Sequence, residues 1–174
     1  SLGQVAEGNT LGTANGSTPI QTITRADGST ESVAPVSNIA ALGWTGAQVV
    51  AGPLVMTSNV SVSENHLENE LIRVDFDKAG EITGIFDKKR QRDVLAPGKT
   101  ANRLIAYEDK PMEWDAWDID RYFEEQFWPL ADSPTKISVV ETGPHRAAIR
   151  VERKYQKSLI VQVISISVGA RQVE

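Results

Sequence analysis

The sequence predicts an all-β fold built from antiparallel strands, and three features lead to that prediction. Apolar and charged residues alternate along residues 71–77, as they do in a strand with one buried face. Residues 158–168 are rich in β-branched side chains, which favour the pleated backbone. No long segment repeats apolar residues at the three- and four-residue spacing of an amphipathic helix. We therefore expect an antiparallel β-sandwich.

The first 35 residues are dominated by glycine and small polar residues, which are typical of turns and connecting segments. One hairpin is nevertheless predicted there. Residues 19–24 alternate apolar and polar side chains, residues 25–28 end in an Asp-Gly turn signal, and residues 30–36 form the returning strand.

The second half of the chain reads as a succession of strands. Residues 71–77 and 81–87 flank a Lys-Ala-Gly turn and form the clearest hairpin, and the basic residues 88–92 are expected to be a solvated turn. Further strands are predicted at residues 103–108, 136–142, 145–154 and 158–168. Residues 112–127 are expected to hold no more than a helical turn.

Composition excludes several classes of function. The net charge is −5, and a general nucleic-acid binder needs a basic face, so we expect no nucleic-acid partner. The chain has no cysteine, hence no disulfide, thiol nucleophile or cysteine-bound metal. The longest apolar stretch, residues 159–168, is too short to cross a bilayer as a helix. We expect no membrane span, a neutral or weakly polar partner and a cytoplasmic location.

The candidate site is an acidic segment that also carries two tryptophans. Eight of the chain's 23 acidic residues fall within residues 108–125. Indole faces can cover the C–H face of a sugar ring while carboxylates accept protons from its hydroxyls. The candidates for lining a sugar site are Trp114, Asp115, Trp117, Asp118 and Asp120.

Two other interpretations of the same segment stay open. A retaining glycosidase uses a pair of facing carboxyl groups, and the segment could supply one, although the pattern does not favour this. Alternatively, the tryptophans anchor a core or a domain interface, while the aspartates cap turns or pair with Arg103, Lys110 or Arg121.

The two histidines do not suggest a metal site. His66 and His145 each stand alone, without the paired spacing of a zinc motif, and we expect both to be solvated surface residues.

Three segments resemble the α-mannosidases of glycoside hydrolase family 38. Residues 107–120, Tyr-Glu-Asp-Lys-Pro-Met-Glu-Trp-Asp-Ala-Trp-Asp-Ile-Asp, are similar to a block of the family's bacterial, vacuolar and cytosolic branch. Residues 67–88 resemble the hairpin that opens the family's large C-terminal β-domain. Residues 36–44 resemble the end of a smaller preceding β-domain, with Ala40 and Trp44 where the family usually has proline and tyrosine.

The resemblance implies an organisation and a parent protein. It implies that residues 1–57 are the end of the small β-domain plus a linker, and that residues 58–174 open a galactose-mutarotase-like supersandwich. It also implies that an absent α/β barrel holds the zinc ion and the nucleophilic aspartate. On this basis no catalytic or metal-binding residue is expected in the chain, whose partners would be that barrel and a mannoside; oligomerisation is left open.

Two functions are therefore predicted as alternatives. In the first, the chain is a non-catalytic fragment of a zinc-dependent, retaining α-mannosidase, inactive alone, which braces the barrel and lines the sugar site. In the second, it is a stand-alone carbohydrate-binding or structural β-sandwich module.

Overall fold

The structure is a computed structural model that describes residues 9–52, 58–114, 117 and 119–174 of the 174-residue chain. Within these ranges the backbone forms fifteen strands and one turn of 3-10 helix, Phe123–Glu125. The strands are β1 (Asn9–Thr13), β2 (Gly16–Pro19), β3 (Gln21–Thr24), β4 (Thr30–Val33), β5 (Ala47–Ala51), β6 (Ser61–Ser63), β7 (His66–Glu68), β8 (Ile72–Phe76), β9 (Ile82–Asp87), β10 (Arg92–Asp93), β11 (Ile105–Tyr107), β12 (Phe127–Pro129), β13 (Thr135–Thr142), β14 (Arg146–Tyr155) and β15 (Ser158–Ser167).

The described strands pair throughout in antiparallel fashion, which confirms the predicted fold class. One sheet has the order β10-β9-β8-β7-β6 and another the order β13-β14-β15. Near the amino terminus lie a three-stranded sheet, β2-β1-β5, and the β3–β4 hairpin, while β11 and β12 form a separate two-stranded ladder. The predicted hairpins at residues 19–36 and 71–87 appear as β3–β4 and β8–β9.

One apolar cluster joins the five-stranded sheet to the β13-β14-β15 sheet and forms the core of the sandwich. From the first sheet it takes Leu67 and Val74, and from the second Ile149, all with no exposed surface. These residues follow the two-residue period of their strands, so one face of each sheet is buried. Complete burial of each such side chain contributes about 1.5–3 kcal/mol relative to exposure.

The β3–β4 hairpin is attached to the β13-β14-β15 sheet by several hydrogen bonds, three of which involve the buried side-chain amide of Gln21. Gln21 donates from Nε2 to the Arg146 carbonyl at 2.6 Å and accepts at Oε1 from the His145 and Arg146 amides at 2.8 and 2.9 Å. Arg150 donates to the Ala26 carbonyl at 3.1 Å. Residues more than 120 positions apart are thereby held together.

Among the described residues, no helix has the length and hydrophobicity that crossing a bilayer would require.

Candidate functional site

The candidate residues lie in a long excursion between β11 and β12, which we call the aromatic loop, residues 108–126. Its ends are held together because Tyr107 stands opposite Phe127 and the Glu108 amide donates to the Gln126 carbonyl at 2.9 Å. Trp114, Trp117 and Asp120 belong to the described part of this loop. Asp115 and Asp118 lie outside the described residues.

Trp114 and Trp117 stack on each other at the solvent-facing part of the loop. Their ring centroids are 5.7 Å apart and the ring planes differ by 19°. The Trp117 amide donates to the Trp114 carbonyl at 3.0 Å, which holds the two residues close together. Trp114 has a φ of +60°, a left-handed conformation that is uncommon and costly for a residue with a Cβ.

The two indoles are exposed rather than packed in the core. Trp114 is 61% exposed and Trp117 is 78% exposed. The interpretation of these tryptophans as core anchors is therefore wrong, because their rings project from the sandwich instead of entering its apolar cluster. An interface anchor and a sugar platform both remain compatible with this exposure.

The base of the aromatic loop is fixed by ring contacts. Tyr107 meets Phe123 edge to face at a centroid distance of 5.2 Å and lies 6.1 Å from Phe127. Such pairs add stability beyond the area that they bury. Phe123 begins the single turn of 3-10 helix, so the loop returns to β12 along a defined path.

Asp120 begins the turn that leads from the loop back to β12. Its Oδ1 accepts from the Tyr122 amide at 3.3 Å, and its carbonyl accepts from the Phe123 amide at 3.0 Å. This geometry is a turn cap, one of the roles that the sequence left open. Arg121, the next residue, stacks over the Tyr122 ring at 4.8 Å.

The surroundings of the loop form an unusually apolar surface. Eight large apolar side chains between residues 107 and 128 are more than a third exposed: Tyr107, Met112, Trp114, Trp117, Ile119, Tyr122, Phe127 and Trp128. Large exposed apolar side chains concentrated in one segment often mark a contact with another protein surface or a ligand.

The acidic residues of the loop do not form a metal site among the residues that the structure describes. In those ranges no group of three or more histidine, cysteine, aspartate or glutamate side chains is arranged to hold an ion. Glu108 instead pairs with Lys110 at 2.5 Å.

Both histidines have protein partners, contrary to the expectation of solvated residues. His66 lies between Glu68, 2.8 Å from its Nε2, and Asp75, 3.1 Å from its Nδ1. A hydrogen bond from Lys88 lowers the pKa of Glu68, whose Oε1 is 2.5 Å from the Lys88 ammonium.

The second histidine, His145, has its Nε2 2.7 Å from the Pro19 carbonyl oxygen. The expectation was wrong because His66 lies between carboxylates of its own strand and of the neighbouring β8, while the partner of His145 is 126 positions away.

Sequence reasoning also missed a buried carboxyl group, Glu141, where the β3–β4 hairpin meets β13. Its Oε1 accepts from the Thr24 amide at 2.8 Å and its Oε2 is 3.2 Å from Arg146 Nε. Burial raises the pKa of Glu141, against the opposing effects of the Thr24 hydrogen bond and the Arg146 charge. No local signal indicates this site, since Thr24 is 117 positions away.

Comparison with known proteins places this β-sandwich in a family. Residues 67–174 match the family model "Glycosyl hydrolases family 38 C-terminal domain". The matched range contains β8 to β15 and the whole aromatic loop.

Three curated relatives are similar over about half of the chain. "Alpha-mannosidase 2C1" from Homo sapiens is 30% identical over 82 residues, 47% of this chain and 8% of that protein. "Alpha-mannosidase G" from Dictyostelium discoideum is 30% identical over 86 residues, 49% of this chain and 8% of that protein. "Alpha-mannosidase" from Saccharomyces cerevisiae is 31% identical over 99 residues, which are 53% of this chain and 9% of that protein. The chain thus covers less than a tenth of each relative.

Proposed function

The chain belongs to the family of glycosyl hydrolase family 38 C-terminal domains, and from that premise we propose that it is a non-catalytic β-domain fragment of an α-mannosidase. The family match over residues 67–174 carries the proposal. The names of the three relatives, all α-mannosidases, support it.

In this proposal the parent enzyme hydrolyses α-mannosides with retention, and the catalytic groups lie on a separate barrel domain. Retaining hydrolysis requires a nucleophilic carboxylate and an acid that face each other across the sugar. We assign neither role to this chain. As the resemblance to family 38 α-mannosidases implies, zinc is proposed to be held by the barrel. When bound, such an ion orients substrate oxygens and polarises them.

The aromatic loop is proposed to face the barrel and to line the mannose site. Its exposed apolar surface supports a contact with another domain. The stacked indoles of Trp114 and Trp117 are suited to the apolar face of a pyranose, and Asp115, Asp118 and Asp120 are proposed to bind sugar hydroxyls. The cap that Asp120 provides to residues 122 and 123 would hold the loop in place for this contact.

We also propose that the chain contains parts of two domains, residues 1–57 and 58–174. The β2-β1-β5 sheet and the β3–β4 hairpin fall in the first range, and the two sheets of the sandwich fall in the second. The Gln21 contacts would then be a domain interface. The proposed location is cytoplasmic.

Replacement of Trp117 by alanine in the parent enzyme tests the role of the loop. If the indole contacts sugar, kcat/KM for an aryl α-mannoside falls by roughly tenfold, equivalent to about 1.4 kcal/mol. Trp44→Ala is the matched control, since Trp44 is 89% exposed and lies outside the aromatic loop. Equal rates for Trp117→Ala and the unmodified enzyme would remove Trp117 from the site and leave bracing as the function of the domain.

A second candidate function is suggested by the stacked, exposed indoles themselves. A carbohydrate-binding module commonly uses such a platform, and here it is accessible without any other domain. Titration of the 174-residue chain with mannose or mannobiose while tryptophan fluorescence is recorded tests this function. A saturable response that Trp117→Ala abolishes would support the module, and no response at millimolar sugar would exclude it.

A further inference from the structure

One outer strand of the sandwich, β15, has a long free edge without the features that usually protect such an edge. In the β13-β14-β15 sheet it pairs with β14 over ten consecutive positions and without a bulge. Its sequence, Ser-Leu-Ile-Val-Gln-Val-Ile-Ser-Ile-Ser, contains no charged residue and no proline. Native sheets usually protect an open edge with charges, prolines, bulges or very short strands, because an open edge readily pairs with another strand.

The other outer strands of the sandwich do show these protective features. At the two edges of the five-stranded sheet, β6 is three residues long and β10 is two residues long. In β13, at the edge opposite β15, the register shifts between Val139 and Glu141, and Lys136 adds a charge. Of the four outer strands that the structure describes in these two sheets, β15 alone lacks them. This difference indicates that another segment covers the edge of β15.

The backbone groups at this edge belong to alternate residues of β15. The N–H and C=O groups of one strand residue point to the same edge, and those of the next residue point to the opposite edge. Ser165 faces outward, because both of its backbone groups bond to Glu174. Leu159, Val161 and Val163 therefore face outward as well, and in the described part of the chain their backbone groups have no hydrogen-bond partner.

Glu174 shows where a covering strand begins. Its amide donates to the Ser165 carbonyl at 3.1 Å, and its carbonyl accepts from the Ser165 amide at 2.9 Å. Two residues that exchange both bonds in this way form the hydrogen-bonded pair of an antiparallel ladder. Backbone that continues in this direction runs along β15, and its second, fourth and sixth residues come opposite Val163, Val161 and Leu159.

We propose that the segment of the parent protein directly after Glu174 forms an antiparallel strand on the free edge of β15. The inference rests on the proposed function, which makes the chain part of a longer protein. Leu159 is 56% exposed, and Val161 and Val163 are partly exposed. The residues opposite them are therefore apolar or β-branched, since such cross-strand pairs stabilise a sheet. The covering strand makes the β13-β14-β15 sheet four-stranded.

Amide hydrogen exchange, measured by mass spectrometry on peptides from residues 158–167, tests this pairing in the parent protein and in the 174-residue chain. In the chain, the outward amides of Leu159, Val161 and Val163 are expected to exchange fast. The intervening amides face β14, exchange slowly in both proteins and serve as the internal reference. In the parent, the outward amides are expected to exchange about a hundredfold more slowly than in the chain.

Two proline variants of the chain check which amides face outward. Val161→Pro removes an N–H group that has no partner, so the Tm of the chain should change by less than about 2 °C. The matched control, Ile160→Pro, removes an N–H group that faces β14 and should lower the Tm by roughly 6 °C or more. Equal effects of the two variants would overturn the assignment of the open edge.

A proline at the fourth residue after Glu174 in the parent identifies the covering segment. This residue is the one that comes opposite Val161 and donates to it. Its replacement should speed exchange of the Val161 amide by about tenfold or more. Fast exchange of the outward amides in the unmodified parent, or protection that persists in the proline variant, would overturn the proposal. Slow, concentration-dependent exchange of these amides in the 174-residue chain would also overturn it, since a second copy would then cover the edge.

Hydrolysis of an aryl α-mannoside by the same parent protein separates this inference from the proposed function. An active parent with fast outward amides would overturn the covering strand and leave the proposed function in place. An inactive parent with slow outward amides would do the reverse.

Discussion

Asn69 shows how one buried side chain connects the two sheets of the sandwich. It is 2% exposed, and its Oδ1 accepts from the Leu71 and Ile72 amides at 2.8 Å each. Its Nδ2 donates to the carbonyls of Ser167 and Ala170 at 2.7 and 2.8 Å. The amide therefore ties the start of β8 to the end of β15, almost 100 positions later.

Asn69→Ala is expected to be strongly destabilising. It removes four hydrogen bonds and leaves buried backbone groups unsatisfied, which costs about 3 kcal/mol or more of the free energy of unfolding. Urea unfolding of the chain measures this cost, and Asn59→Ala, at an exposed asparagine, is the control. A loss below about 1 kcal/mol would show that water replaces the amide.

Glu141 gives a prediction about pH. Because burial raises its pKa in the folded chain, its protonated form is favoured by folding. Its contribution to stability is therefore fully present below the unfolded pKa and is lost as the pH rises through the folded pKa. Glu141→Gln keeps an acceptor for the Thr24 amide but carries no charge.

The stability of Glu141→Gln relative to the unmodified chain is therefore expected to increase as the pH rises from 4 toward 7. Unfolding free energies measured across this range provide the test, with the exposed Glu124→Gln as control. A difference that stays constant with pH, or that decreases, would contradict the assigned direction of the pKa shift.

The turn between β8 and β9 accepts only glycine at residue 80 without strain. Gly80 has a φ of +74°, and a Cβ added to it would lie 2.7 Å from Cγ1 of Val151 in the core. A side chain at this position is thus opposed both by the backbone conformation and by packing. Gly28, in the β3–β4 turn, has a φ of +85°, but a Cβ added there would have no other atom within 4 Å.

Replacing each of these glycines by alanine separates the two effects. Gly28→Ala should cost only the left-handed conformation, about 1–2 kcal/mol. Gly80→Ala should cost about 1–3 kcal/mol more, because the added methyl group also displaces Val151. If both substitutions lower the free energy of unfolding in urea equally, the core accommodates the methyl group without strain.

The sequence predicted the elements whose side chains alternate clearly and missed those that are short and lack such alternation. The hairpin of β8 and β9 and the long strands β14 and β15 follow directly from their apolar positions. In contrast, β1 contains two glycine or asparagine positions, and β5 is exposed along its whole length. Such strands form because partner strands supply hydrogen bonds, which no local pattern records.

The same distinction applies to the candidate site. Its position in the chain and its pair of tryptophans could be proposed from residues 107–120, whereas the stacking of Trp114 on Trp117 depends on a left-handed turn that the sequence does not reveal. The buried Glu141 could not be identified at all, since the contact that defines it joins residues 117 positions apart.

At the scale of the whole molecule, the buried core of the sandwich and the exposed aromatic loop are two separate groups of apolar residues. Leu67, Val74 and Ile149 are completely buried, while the tryptophans of the aromatic loop are mostly exposed. The chain also covers less than a tenth of each of the three relatives. Both observations are compatible with our proposal that the domain acts beside a separate catalytic domain.

The decisive experiment compares hydrolysis of an aryl α-mannoside by the parent protein and by the 174-residue chain, both in the presence of zinc. We expect turnover by the parent protein and none above the blank by the chain. Clear turnover by the chain alone would place catalytic residues within it, and an inactive parent would remove the basis for assigning it as an α-mannosidase.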